Sequence, residues 1–147
     1  MNTKNLKNMA TALSMVAGMG IGSSAMAVNT GIQTLGNGNT VDAFTFTCPA
    51  GSGGRARVND RQNPNPVGVN MQVAIGHDSF PTRQAVDATD NGVPSAFTVV
   101  IAESGAYAAT FKKTGAAAEI YSGDLQCCNI AGNCAINPFN VVRRINQ

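Results

Sequence analysis

The clearest chemistry in this sequence lies in its four cysteines. Cys127 and Cys128 are adjacent, Cys134 follows after the short loop "NIAGN", and Cys48 stands far upstream. Neighbouring residues in a strand point to opposite faces, so Cys127 and Cys128 do not readily share a partner. Cys48 falls on the same face as Phe44 and Phe46, and Cys127 on the face of Tyr121 and Leu125. Both faces are expected to look inward. The pairing expected is therefore Cys48 with Cys127 and Cys128 with Cys134. Exchanged partners at Cys127 and Cys128 are the alternative, and a vicinal Cys127–Cys128 bond is a strained outsider. Closing the long loop contributes ~4 kcal/mol on the chain-entropy model, the short one somewhat less. A zinc centre would need histidine support beside the thiolates. The single histidine, His77, lies in another loop, so structural disulfides in an oxidising compartment are the reading.

His77 sits in "GHDSF" beside Asp78 and Ser79. Catalytic triads converge from separate segments rather than from sequence neighbours, so His77 is expected to be a polar turn residue. No Gly-x-Ser-x-Gly elbow, phosphate loop or dinucleotide fingerprint is present, and nothing singles out a carboxylate pair for glycoside chemistry. The expectation is a protein without catalytic residues. "DATDNG" offers Asp87, Asp90 and Asn91 as hard oxygen ligands for calcium, with Gly92 permitting a sharp turn. The spacing is not that of an EF-hand, and Asp-Asn-Gly is also an ordinary turn. Arg55 and Arg57 face outward from one strand, and Lys112–Lys113 and Arg143–Arg144 form short pairs. Such charges discourage edge pairing; a polyanion-binding stripe is the competing reading.

These residues need a compartment and a scaffold. The chain opens with Lys4 and Lys7, continues through a weakly apolar Ala/Met/Gly run, and reaches Ala25-Met26-Ala27. That pattern predicts a secretory signal peptide over residues 1–27. A transmembrane anchor is not expected, because the apolar run is short, interrupted by Gly and Ser, and followed at once by polar sequence. The formal charge of +2 comes from Lys4 and Lys7, and the remainder carries eight basic and eight acidic residues. That balance gives no case for nucleic acid or membrane insertion as partners. It also leaves little repulsion to oppose self-association.

The roughly 120 residues after Ala27 suffice for one domain with a single core. Gly, Thr, Val and Asn are frequent, whereas Leu, Glu and Lys are scarce. Residues 28–40 are polar and Gly-rich and read as an extended or flexible arm. Alternating strands begin at "VDAFTFTC" and "RARVND". The clearest is "VGVNMQVAIG", where Val67, Val69, Met71, Val73 and Ile75 line one face. A long loop follows, with one short strand near residues 84–88. "AFTVVIAE", "SGAYAATFKKT" and "IYSGDLQCC" are further strands. Seven or so strands punctuated by Gly, Pro and Asn predict an all-β, disulfide-stapled antiparallel β-sandwich over residues 41–128. Residues 129–147 are left as a cysteine-closed loop and a final strand or tail.

With the strands laid out, "DAFTFTCPAG" resembles the opening of bacterial pre-peptidase C-terminal domains. "SGAYAATFKKTGAAAEIYSGDL" is similar to their closing hairpin. The resemblance covers about residues 41–126. It implies a jelly-roll-like sandwich without catalytic residues, carried on secreted proteins, some of which bind calcium or extracellular polymers. Two departures stand out: Asn70 and Gln72 replace an acidic pair, and a cysteine-bearing extension follows Gln126.

The function expected is a secreted module, extracellular or periplasmic, that binds an extracellular polymer or protein. The alternative is a structural subunit that assembles with itself at the cell surface by strand addition from residues 28–40 and the apolar "FNVV". If "DATDNG" is only a turn, millimolar calcium leaves the melting temperature unchanged. A calcium-dependent rise that disappears in Asp90→Ala would establish the metal site instead.

Overall fold

A computed structural model describes residues 27–38, 40–62, 69–78, 80–88, 93–99, 104–134 and 136–146. The expected signal sequence falls almost wholly outside these. The described residues form nine strands: β1 (Val28–Leu35), β2 (Val41–Cys48), β3 (Ser52–Asp60), β4 (Met71–His77), β5 (Phe80–Asp87), β6 (Thr98–Val99), β7 (Gly105–Lys113), β8 (Glu119–Asn129) and β9 (Phe139–Asn146). They build two antiparallel sheets, ordered β1-β8-β3-β6 and β5-β4-β7-β2-β9. The first eight strands follow the alternation of an eight-stranded jelly roll, and β9 extends the second sheet beyond β2. The all-β sandwich is thus as the strand pattern predicted.

Packing between the sheets explains which residues had to be small. The inner face of the five-stranded sheet presents Phe44, Phe46, Tyr107 and Phe111 with Met71, Val73 and Ile75, all buried. Opposite them the four-stranded sheet presents Gly54, Ala56, Val58, Gly123 and Leu125. A Cβ on Gly54 would lie 2.7 Å from the Tyr107 ring, and one on Gly123 would run into the Phe111 ring. Phe46 stacks on Tyr107 with centroids 5.5 Å apart, Phe111 stacks on Tyr121 at 5.2 Å, and Phe44 meets Phe111 edge-on at 5.7 Å. These offset and edge geometries suit the ring quadrupoles.

The two ends of the sandwich close differently. At one end Cys48 of β2 is bonded to Cys127 of β8, crossing between the sheets. Cys128 is bonded to Cys134 and closes the loop after β8. At the other end the buried Asp42 carboxylate accepts the Tyr121 hydroxyl from the opposite sheet at 2.6 Å. Arg143 of β9 donates to both Asp42 oxygens at 2.7 Å. Burial, and then the hydrogen bond to Asp42, push the Tyr121 phenol upward, so it remains a donor.

Two sequence expectations need correction. The arm expected over residues 28–40 is largely strand β1, paired with β8 from Val28↔Leu125 to Leu35↔Glu119. Its composition hid this because an edge strand needs one neighbour and few inward side chains: only Leu35 is fully buried. Gly31, at φ 74°, accommodates the bulge in that pairing. The short strand expected near residues 84–88 is the end of a longer hairpin partner, β5, that takes up most of the expected loop, and of the two alternatives for the C-terminal stretch the structure has the strand, β9. The folded unit therefore runs well beyond residues 41–128. Because the Phe111 ring occupies the space above Gly123, Gly123→Ala should lower the unfolding free energy by ~1–3 kcal/mol. Urea denaturation at neutral pH measures it.

Candidate functional site

Strand alternation places every second residue of β3 and β8 on the outside of the four-stranded sheet. Arg55 faces Gln126, Arg57 faces Asp124 and Asn59 faces Ser122. Arg55 donates through Nε and Nη2 to Gln126 Oε1 at 2.9 and 2.7 Å. The Arg57 Nε reaches Asp124 Oδ2 at 2.7 Å, and the Arg61 Nε reaches Ser122 Oγ at 3.0 Å. Asn29 of β1 donates to the other Asp124 oxygen at 2.7 Å. Phe97, just before β6, holds both neighbouring guanidiniums against its ring, Arg55 at 4.0 Å and Arg57 at 4.5 Å. Burial and then the nearby Arg57 charge lower the Arg55 pKa. The result is a row of anchored cations on an open face.

The outside of the five-stranded sheet has a different character. Thr45, Thr47, Ala106, Ala108 and Gly76 lie side by side across β2, β7 and β4. Two shallow grooves, of about 400 and 510 Å³, meet at Thr45 and Ala106. His77 and Asp78 wall one side; Asn140, Val142 and Arg144 wall the other. Arg144 Nε donates to Thr45 Oγ1 at 3.0 Å. The His77 ring packs on Tyr107 with centroids 4.7 Å apart. His77 thus ends β4 as part of a groove wall.

At the end opposite the Cys48–Cys127 bond, carboxyl groups crowd inside the sandwich. Asp60, Asp87 and Glu119 are all buried. Asp87 Oδ2 accepts the Asp60 backbone N–H at 2.9 Å, an inward, structural use for the first of the proposed calcium ligands. Asp90 and Asn91 lie outside the described residues. Among the described residues no group of three or more His, Cys, Asp or Glu is arranged to hold a metal ion. Burial, then the charge of Asp60 and a hydrogen bond with it, push the Glu119 carboxyl up to about 7. The Ile120 backbone N–H and the Lys113 ammonium pull the other way. Lys113 is itself buried and donates to the carbonyls of Gly38 and Gly115.

Residue spacing had already turned Arg55 and Arg57 outward. It did not reveal that Arg61, Phe97, Gln126 and Asp124 join them, because those contacts come from the β3–β8 register and the β6 crossover. The Asp42–Tyr121–Arg143 clamp was equally hidden; its only sequence signal is an Asp inside an otherwise apolar strand face. No protein-family model, curated protein or solved structure matches the chain.

The Glu119 carboxyl dictates a pH dependence. Its folded value is raised from 4.5 to about 7, so the fold favours the neutral acid. That contribution is complete below about pH 4.5 and is lost as pH rises through about 7. The melting temperature of the wild type should therefore fall between pH 5 and pH 8 by several degrees more than that of Glu119→Gln, since 1 kcal/mol is worth roughly 4 °C in a domain of this size. Parallel slopes in the two proteins would contradict it.

Proposed function

We propose that this chain is a secreted, non-catalytic β-sandwich module that binds an extracellular polymer or protein along the outside of its five-stranded sheet. The observation that carries this reading is the open trough formed where the two grooves meet at Thr45 and Ala106. It crosses β4, β7, β2 and β9, a span of roughly 15 Å at ordinary strand spacing. A run of several linked units fits such a span better than one small molecule does. The small floor residues let a chain lie close to the sheet, while Thr45 at its centre and Asp78, Asn140 and Arg144 at its rims supply polar contacts. Two disulfides suit an extracellular or periplasmic setting. The resemblance of residues 41–126 to pre-peptidase C-terminal domains implies a module of the same kind.

A second reading, a self-assembling surface subunit, draws on a different observation. β1 lies at a sheet edge, only Leu35 of it is fully buried, and a short link joins it to β2. Such a strand can be exchanged between copies.

Ala108 is exposed on the trough floor, so Ala108→Trp fills the trough without entering the core. Affinity electrophoresis of the oxidised protein through a panel of neutral polysaccharides should show retardation that this variant weakens roughly tenfold or more, as expected for a blocked contact surface. Retardation by none of them, or equal retardation of the variant, removes the trough from consideration. Light scattering on the same samples separates the two readings: a monomer near ~12 kDa fits the binding module, and concentration-dependent growth fits the assembling subunit.

A further inference from the structure

The row of arginines on the opposite sheet is not used by the trough. We propose that the outside of the four-stranded sheet is a second, separate binding surface that takes a carboxylated polysaccharide through Arg55, Arg57 and Arg61. The three guanidiniums share one design. Each has its Nε edge tied to a β8 side chain, Gln126, Asp124 or Ser122 in turn. A guanidinium has five N–H donors, so fixing the Nε edge orients the group and leaves several donors for a ligand. The Phe97 ring holds the Arg55 and Arg57 planes at 4.0 and 4.5 Å, which restricts them further before any ligand arrives.

Charge then selects the ligand. Among the described residues, Asp124 is the only carboxylate bonded to these three arginines, and it also accepts from Asn29. Arg57 is compensated, whereas Arg55 and Arg61 are tied to the neutral groups of Gln126 and Ser122. Those two lie six residues apart along an extended chain, roughly 20 Å. One small anion does not reach both. A polymer with a carboxylate on successive units does, and the planar fork matches a carboxylate through paired hydrogen bonds. Two uncompensated charges are too few for nucleic acid, whose binding rests on many neutralised phosphates. The oxidising compartment indicated by the disulfides also suits a polysaccharide partner.

The test uses the oxidised wild-type protein, with polygalacturonate as the probe, in titration calorimetry at about 50 and 200 mM salt. Wild type should bind, more weakly at the higher salt. The double variant Arg55→Gln/Arg61→Gln keeps the Arg57–Asp124 pair and should lose affinity roughly tenfold or more. Its unchanged melting temperature would show that the fold survives. Fully methyl-esterified polygalacturonate should not bind, and Ala108→Trp should bind polygalacturonate as wild type does. No binding by wild type, equal binding by the double variant, equal binding of the esterified polymer, or tighter binding of single-stranded DNA each overturns the proposal. Undiminished neutral-polymer retention in Ala108→Trp counts against the trough alone, and undiminished polygalacturonate binding in the arginine variant counts against this surface alone, so the two readings fail separately.

Discussion

Everything in this sandwich depends on one steric fit: large rings on one sheet meeting glycines on the other. Phe46, Tyr107 and Phe111 project from the five-stranded sheet into space that Gly54 and Gly123 leave open. Interiors pack at close to crystalline density, so this distribution of volume sets how the sheets approach. It also fixes register. Moving β8 by one residue against β3 would put Gly123 outside and carry a larger side chain into the Phe111 ring. Strand parity then does the rest, sending Arg55, Arg57, Asp124 and Gln126 outward together.

The ends of the molecule show how buried polarity is tolerated around such a core. The Cys48–Cys127 bond and the Asp42–Tyr121 hydrogen bond both cross between the sheets, at opposite ends. The first constrains the unfolded chain. The second leaves a buried carboxylate satisfied by a phenol and a guanidinium, as burial of charge requires. Glu119 and Asp60 are a different solution. Two carboxyls packed together favour one shared proton over two charges, which ties the folded state to pH without any ligand.

Function, as proposed, lies on the two outer faces, and these faces are chemically unlike. One is a trough floored by Thr, Ala and Gly; the other is an ordered row of guanidiniums over Phe97. Since the faces are separated by the thickness of the sandwich, a molecule with both surfaces occupied would join a neutral chain to an acidic one. Nothing in the core would need to move for either to be filled.

How much of this could be read in advance follows from the range of each interaction. Alternation within "DAFTFTC" and "NMQVAIG" is local, so strand identity, inward faces and the outward pair Arg55 and Arg57 were legible. The disulfide partners followed from the same parity. Two edge strands were poorly legible: β1 is polar and Gly-rich because it buries little, and β5, expected only as a short strand near residues 84–88, contains Pro81 and exposed polar residues for the same reason. The neighbours of Arg55, the seat of Tyr107 over Gly54, the partners of Asp42 and the pairing of Asp60 with Glu119 all join residues far apart in the chain. The sequence by itself determined which face each side chain shows, because that is set by backbone geometry one residue at a time. Only the tertiary structure decided which faces meet, because that depends on volumes and charges brought together from opposite ends of the chain.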